Sequence, residues 1–245
     1  MVSQTSRLVN NINIRNFVFN NQGEKWLEEH PDTVDLLIDT VDSKLPNEHL
    51  QNQKLHRIGS GTYSDVYDCD DIALKISSSL TGRMWFTHGK TTPENLITQH
   101  LFLDKLFVYL SLRSDNKIVV PTQLFALTTN NGTNLKGEEL MSGWRSVHAF
   151  SAEQRWSPQM AGKIAEILIS KIRAENLPKK HLRMINDLGI KGRTPFNFGN
   201  IMIQSKSLDL NNLTNQSLCI IDQPGRLIFQ SSIRKLIKFT TGGVE

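Results

Sequence analysis

Residues 54–77 constrain the fold of this chain more than any other part of the sequence. Within this segment, Lys54–Ile58, Ser64–Asp68 and Ile72–Ser77 have the composition of short strands, and a turn with two glycines separates the first two runs. Three strands so close together in the sequence predict a sheet in the front half of the chain. A chain that places this sheet early must cover it with the elements that come before and after.

Helical periodicity lies on both sides of the three strands. Over residues 24–45, apolar side chains recur at spacings of three and four, which predicts a helix with one apolar face. Pro31 suits the first turn of a fresh helix, and Pro46 is expected to end it. Further helices are predicted from Pro93 to about Leu112 and over residues 158–175.

Other short apolar or β-branched runs predict additional strands. They are Asn13–Phe19, Lys117–Val120, Leu124–Thr128, Glu138–Met141, Ile201–Ile203 and Leu218–Ile221. The turn Asn130-Asn131-Gly132 predicts a hairpin. The order of elements predicts an α+β fold with a strand-rich front half, a helical back half and a seam near residues 141–150.

Composition narrows the class of protein. The chain has 245 residues, 38% of them hydrophobic, and its 28 basic and 24 acidic residues give a net charge of +4. This length and composition suit a globular protein with a substantial core. The basic stretches at 179–183 and 234–238 have no interleaved aromatic residues, so no specific binding of nucleic acid is expected.

Targeting signals are also missing from the sequence pattern. Apolar runs of about 18 residues are absent, so no membrane span is expected. The N-terminal residues lack the apolar core of a secretory signal peptide, and Cys69 and Cys219 do not make a disulfide framework or a zinc site. These features predict a cytoplasmic protein, or an effector exported without a cleavable signal peptide.

The glycine turn is the first element with a chemical meaning. It begins at Ile58 and reads Gly59-Ser60-Gly61 before the next strand, which contains Val66. Two glycines at this spacing let the backbone approach phosphate groups closely, and Val66 would cap an adenine ring. Glycine turns between strands are common, so the turn taken alone is also compatible with an ordinary hairpin.

The second element is a lysine on the third strand. Lys75 lies in the run Ala73-Leu74-Lys75-Ile76, fourteen residues after Gly61. A lysine on a buried strand needs an anion, because an unpaired buried ammonium group is costly. Nucleotide phosphates, with a carboxylate behind the lysine, would supply one. The alternative is an edge-strand lysine whose ammonium group reaches water.

The third element lies near the other end of the chain. Asn200 enters the apolar run Ile201–Ile203, and Asp222 follows the apolar run Leu218–Ile221. Carboxylate and amide oxygens suit Mg²⁺, which prefers hard oxygen ligands and can bridge nucleotide phosphates. In this order, behind a glycine turn and Lys75, the pattern resembles the protein-kinase-like superfamily. It resembles the minimal kinases of bacterial effectors and phages, or small-molecule kinases, more than a regulated eukaryotic kinase.

The resemblance implies a bilobal protein-kinase-like fold and ATP and Mg²⁺ as cofactors. It divides the chain into an N-terminal helical extension (1–50), a strand-rich N-lobe (51–145) and a reduced helical C-lobe (146–245). It assigns catalytic roles to Lys75 and Asp222, and the metal to Asn200 and Asp222. The residues implied to bind ATP are Ile58, Gly59, Gly61, Val66, Ala73, Lys75, Glu94 and Met141.

Two positions depart from the family pattern. Pro195 occupies the position of the catalytic aspartate, and proline cannot accept a proton. The helix partner of Lys75 stays open between Glu94 and Gln99, which depends on how the helix is aligned. The resemblance implies a phosphotransferase acting on protein Ser/Thr hydroxyls. The alternatives are an inactive pseudokinase that docks a protein partner and a small-molecule kinase, and the oligomeric state is left open.

Overall fold

The computed structural model describes residues 3–53, 55–60, 64–78, 100–101, 103–105, 107–108, 118–146, 149, 153, 201–204 and 217–221. The chain divides into two compact units. The first comprises Met1–Ser114 with Val120–Ser142, and the second comprises Asp115–Val119 with Gly143–Glu245. The described residues mix helices with strands, which confirms the predicted α+β class. The helix predicted over residues 158–175 lies outside the described residues.

Before the glycine turn, the described residues of the first unit form four helices. They are α1 (Gln4–Val9), α2 (Asn21–Glu29), α3 (Pro31–Asp42) and α4 (Pro46–Asn52). The segment predicted as helical over residues 24–45 contains two helices with a break at His30, and the fresh start predicted at Pro31 is confirmed because this proline is the first residue of α3. Helix α3 ends at Asp42, before the expected stop at Pro46, and this proline begins a further helix, α4, that was not predicted.

The described residues contain ten strands. They are β1 (Ile14–Phe19), β2 (His56–Ser60), β3 (Asp65–Cys69), β4 (Ile72–Ser78), β5 (Ile118–Val119), β6 (Gln123–Thr129), β7 (Thr133–Glu139), β8 (Trp144–Ser146), β9 (Ile201–Gln204) and β10 (Leu218–Ile220). The first unit holds a six-stranded sheet in the order β1-β6-β7-β4-β3-β2. All its neighbouring strands are antiparallel, and β6 and β7 form the hairpin predicted around Asn130-Asn131-Gly132.

The two faces of this sheet are chemically different. Along β4, alternation sends Leu74 and its apolar neighbours to one face and Lys75 to the other. Helices α1–α4 contribute to the core on the apolar face. The largest contributors to that core are Leu8, Leu27, Leu37, Leu50, Tyr67, Ile72, Leu74, Ile76 and Phe125. The face with Lys75 is also buried, but its buried side chains are mainly polar or charged.

Polar contacts fix the N-terminal helices to one another and to the sheet. The Glu28 carboxylate on α2 accepts hydrogen bonds from the backbone N–H groups of Gln4 (2.9 Å) and Thr5 (2.8 Å) at the start of α1. The turn between β3 and β4 has positive φ at Asp70 (46°) and Asp71 (67°), and the Asp70 carboxylate accepts a hydrogen bond of 2.6 Å from the Thr33 hydroxyl on α3. These contacts fix α1 to α2, and they fix α3 to the turn that precedes β4, the strand that carries Lys75.

The second unit contains a four-stranded sheet in the order β5-β10-β9-β8. Strand β10 runs parallel to β5 and antiparallel to β9, with Ile201 opposite Ile220. The predicted strands at Ile201–Ile203 and Leu218–Ile221 are thus confirmed as a paired β9 and β10. None of the described helices is both long and apolar enough to cross a membrane.

Candidate functional site

Strands β2 and β3 form the hairpin that carries the glycine turn. Gly59 lies opposite Val66, next to a shift in register between Arg57 and Gly59. A Cβ built on Gly59 would have Val66 atoms as its nearest neighbours, at 3.8 Å, which is ordinary contact. Neither close packing nor a positive φ therefore accounts for this glycine. Ile58 is 43% exposed beside it, and Gly61 lies outside the described residues.

Lys75 lies in the middle of β4, with a neighbouring strand on each side. It is directly opposite Val66 on β3 and Lys136 on β7. Residues that are directly opposite in an antiparallel sheet share a face, and Ala73 is two positions away on the same strand. Three of the residues predicted to bind ATP, Val66, Ala73 and Lys75, are thus brought together on one face of the sheet.

A carboxylate on β7 bridges two lysines on this face. Oε1 of Glu138 is 2.5 Å from Nζ of Lys75, and Oε2 is 2.8 Å from Nζ of Lys136. The exposed fractions are 3% for Lys75, 0% for Lys136 and 2% for Glu138, so all three charges are buried. We call these three residues the lysine–glutamate cluster. They form an ion-paired group inside the sheet, so the predicted alternative of a lysine that reaches water is wrong.

The cluster keeps Glu138 ionised. Burial alone raises the pKa of this carboxyl, but the ammonium groups of Lys136 and Lys75 lower it by more, so the pKa lies below its usual value. The side-chain amide of Gln123 donates a further hydrogen bond of 3.4 Å to Oε2. Removing one partner from a buried ion pair commonly costs about 3–5 kcal/mol, because it leaves an uncompensated charge behind.

His100 lies close enough to the cluster for its charge state to respond to it. Burial lowers the pKa of His100 to about 3, with a further lowering by Lys136 and an opposing effect of Glu138. The imidazole is therefore neutral at physiological pH. Its Nδ1 and Oε1 of Gln123 are buried and have no hydrogen-bond partner. Two unsatisfied polar atoms thus belong to residues that interact with the cluster.

Glu138 was missed by sequence reasoning. The predicted carboxylate partner of Lys75, Glu94, and its alternative Gln99 lie outside the described residues. The prediction began a strand at Glu138, whereas β7 already starts at Thr133. The signal that could have found the pairing is the spacing of Lys136 and Glu138, because residues two apart on a strand share a face.

The remaining predicted residues lie elsewhere in the chain. Met141 is half-buried in the turn that follows β7. Asn200 and Asp222, the predicted magnesium ligands, and Pro195 lie outside the described residues. Within the described ranges, no group of three or more His, Cys, Asp or Glu side chains is placed to hold a metal ion.

The sequence was compared with models of known protein families and with curated proteins, and neither comparison gives a match. The function must therefore be inferred from the residues of this chain.

Proposed function

We propose that this chain is an ATP- and Mg²⁺-dependent phosphotransferase with a kinase-like bilobal fold, acting on Ser/Thr hydroxyls of a protein. The observation that carries the proposal is the environment of Lys75. A buried lysine lies in mid-strand, shares its face with Val66 and Ala73, and is held by a carboxylate. The hairpin of β2 and β3 adjoins β4, and neither close packing nor a positive φ accounts for its Gly59. A strand lysine behind a glycine-rich hairpin is one arrangement that holds nucleotide phosphates in kinase-like proteins.

The proposed roles follow from the chemistry of the groups. The Lys75 ammonium would hold the α- and β-phosphates as a point charge, and the backbone at Gly59 and Gly61 would cover them. Ile58, Val66 and Ala73 would offer apolar contacts to the adenine ring. Met141, in the turn after β7, would offer backbone groups to the adenine edge.

Mg²⁺, when bound, would neutralise phosphate charge as it develops during transfer. Asn200 and Asp222 carry the hard oxygen ligands that suit it. For these two residues to share one ion, the strand that follows Asn200 must pair with the strand that precedes Asp222. The pairing of Ile201 with Ile220 supports this requirement.

Pro195 determines what the protein can contribute to the transfer step. It cannot take the proton of the attacking hydroxyl, so this position offers no general base. Transfer through a loose transition state depends mainly on positioning and on neutralising charge. Lys75, Asn200 and Asp222 would supply these contributions, and the hydroxyl proton would leave to solvent or to phosphate.

A pseudokinase that binds ATP and docks a protein partner is the second candidate. Pro195 favours it, as does the burial of the Lys75 side chain, of which 4% is exposed. A nucleotide could reach this ammonium group only after the side chains around it move.

A measurement of phosphoryl transfer from ATP distinguishes the phosphotransferase from the pseudokinase. The purified chain is incubated with γ-labelled ATP, Mg²⁺ and a mixture of acceptor proteins. The variants Lys75→Met and Asp222→Ala are assayed in parallel. The control is Lys25→Met, which alters an exposed lysine of α2. We expect label transfer by wild type and by the control, and its loss in the other two variants. Thermal stabilisation by ATP–Mg²⁺ without transfer would identify a pseudokinase. No binding of ATP at all would refute both candidates.

A further inference from the structure

The positions of Glu138 and Lys75 on neighbouring strands allow the two side chains to form an ion pair. Lys75 and Lys136 are directly opposite each other on β4 and β7, and Glu138 is the next residue of β7 on the same face. Two like charges in directly opposite positions repel each other. The diagonal position of Glu138 lets one carboxylate compensate both ammonium groups, with one oxygen for each.

The surroundings of Glu138 fix its own orientation. Glu138 is 2% exposed, and its Oε2 also accepts a hydrogen bond from the side-chain amide of Gln123. The same amide group donates to the Pro121 carbonyl oxygen at 2.8 Å. Glu138 is thus held by groups on three strands, Lys75 on β4, Gln123 on β6 and Lys136 on its own strand β7. A long lysine side chain has many rotamers, and a carboxylate fixed in this way selects the one that points along the sheet face toward β7.

We infer that Glu138 is the positioning residue of Lys75: it orients the ammonium group for nucleotide phosphates from the neighbouring strand. This inference rests on the proposed function, because it presupposes that Lys75 binds ATP. It adds a partner of Lys75 on β7 to the partner expected on the helix, which is the carboxylate of Glu94 or the neutral amide of Gln99. Glu138 itself does not touch the nucleotide in this scheme.

Glu138→Gln tests the inference, with Glu139→Gln as the matched control. Glu139 is the adjacent, exposed carboxylate, and its Oε2 accepts hydrogen bonds from Thr122. Calorimetry measures the affinity of each protein for ATP–Mg²⁺ and for adenosine. We expect Glu138→Gln to weaken ATP binding about tenfold or more while adenosine binding stays unchanged, a size typical for loss of a supporting residue. The control should match wild type with both ligands.

A double variant shows whether Glu138 acts through Lys75. If it does, Lys75→Met and the pair Lys75→Met/Glu138→Gln bind ATP equally weakly, because the second change has nothing left to orient. Additive losses would overturn the inference. So would an equal loss of ATP and adenosine affinity, which indicates a structural role, or unchanged ATP binding by Glu138→Gln.

Two further results complete the test. Should Glu138→Gln fail to fold, Lys136→Met/Glu138→Gln replaces it, since this pair removes one charge of each sign and keeps Lys75. The same loss of ATP affinity with adenosine binding retained is expected. A wild-type chain that binds adenosine but gains no affinity from the phosphates would refute the proposed function and this inference together. A wild-type phosphate effect that Lys75→Met abolishes and Glu138→Gln preserves would refute the inference alone.

Discussion

Gly137 lies between two residues of the lysine–glutamate cluster and packs against the apolar core. Replacing it with alanine tests how tightly the core is packed at this point. The residue lies between Lys136 and Glu138 on β7, directly opposite Phe125 on β6. A Cβ at position 137 would lie 2.4 Å from Cε1 and 2.6 Å from Cζ of the Phe125 ring. The aromatic ring thus occupies the space that a side chain on this strand would need.

The geometry sets the size of the effect. Contact at 3.4 Å is ordinary, so the methyl group and the ring must separate by about 1 Å. Phe125 is fully buried, and its ring centroid lies 6.4 Å from that of Phe17 and 6.3 Å from that of Trp26, so these neighbours must move too. Overpacking costs about 1–3 kcal/mol, and replacing a strand glycine returns about 0.5–1 kcal/mol. We expect a net loss of about 1–2 kcal/mol.

Urea unfolding and thermal melting measure this loss, and the expected fall in Tm is about 2–8 °C for a chain of this size. Phe125→Leu removes the ring, so Gly137→Ala/Phe125→Leu should be more stable than the sum of the single changes by about 1 kcal/mol. Gly59→Ala, with its nearest neighbour at 3.8 Å, is the control and should stay within about 1 kcal/mol of wild type. Additive effects of the two core changes would refute the reasoning.

Three other changes probe the scaffold around the site. Gly23→Ala would place a Cβ 1.9 Å from the Leu124 carbonyl oxygen, so urea unfolding should show a loss of about 2 kcal/mol or more, and a neutral effect would contradict this packing. Asp71→Gly relieves a φ of 67° in the β3–β4 turn, and Tm should rise by about 1–3 °C rather than fall. For Glu28, hydrogen bonds from the N–H groups of Thr5 and then Gln4 lower the pKa of the carboxyl. Its stabilisation is therefore present at neutral pH and lost as the pH falls below the ordinary pKa of a glutamate and through the lowered pKa of Glu28, so the Tm of Glu28→Gln should approach that of wild type in acid. A constant gap between the two Tm values would argue against this.

Local sequence patterns were sufficient to predict the strands of the site. The β-branched and apolar runs around the glycine turn predicted β2, β3 and β4 to within two residues, and Asn130-Asn131-Gly132 identified the β6–β7 hairpin. Each signal depends on residues close together in the chain, where turn chemistry and alternation act directly. The position of Lys75 on a buried strand followed from the same kind of reasoning.

Features that depend on distant or polar residues were not predictable. Strand β1 pairs with β6, with Phe17 opposite Leu127, and nothing local to either segment specifies a partner so far along the chain. The strand β7 is rich in residues that are uncommon in strands, including Asn134, Lys136 and Gly137, and only tertiary burial makes them strand residues. Because the predicted start of β7 was misplaced, Glu138 was not recognised as a partner of Lys75.

The two faces of β4 and β7 bear on whether the lysine–glutamate cluster serves only to stabilise the sheet. Both faces are buried to a similar extent, and the apolar face, with Leu74 and Leu135, shows what stabilising residues on these strands look like. Buried ion pairs are often no more stabilising than apolar residues of the same volume, because desolvation opposes the attraction between the charges. Packing alone therefore does not account for Lys75, Lys136 and Glu138 on the second face. Under the proposed function, the phosphates of a nucleotide would need such an oriented ammonium group, and the glycine hairpin on the adjoining strands is compatible with that proposal.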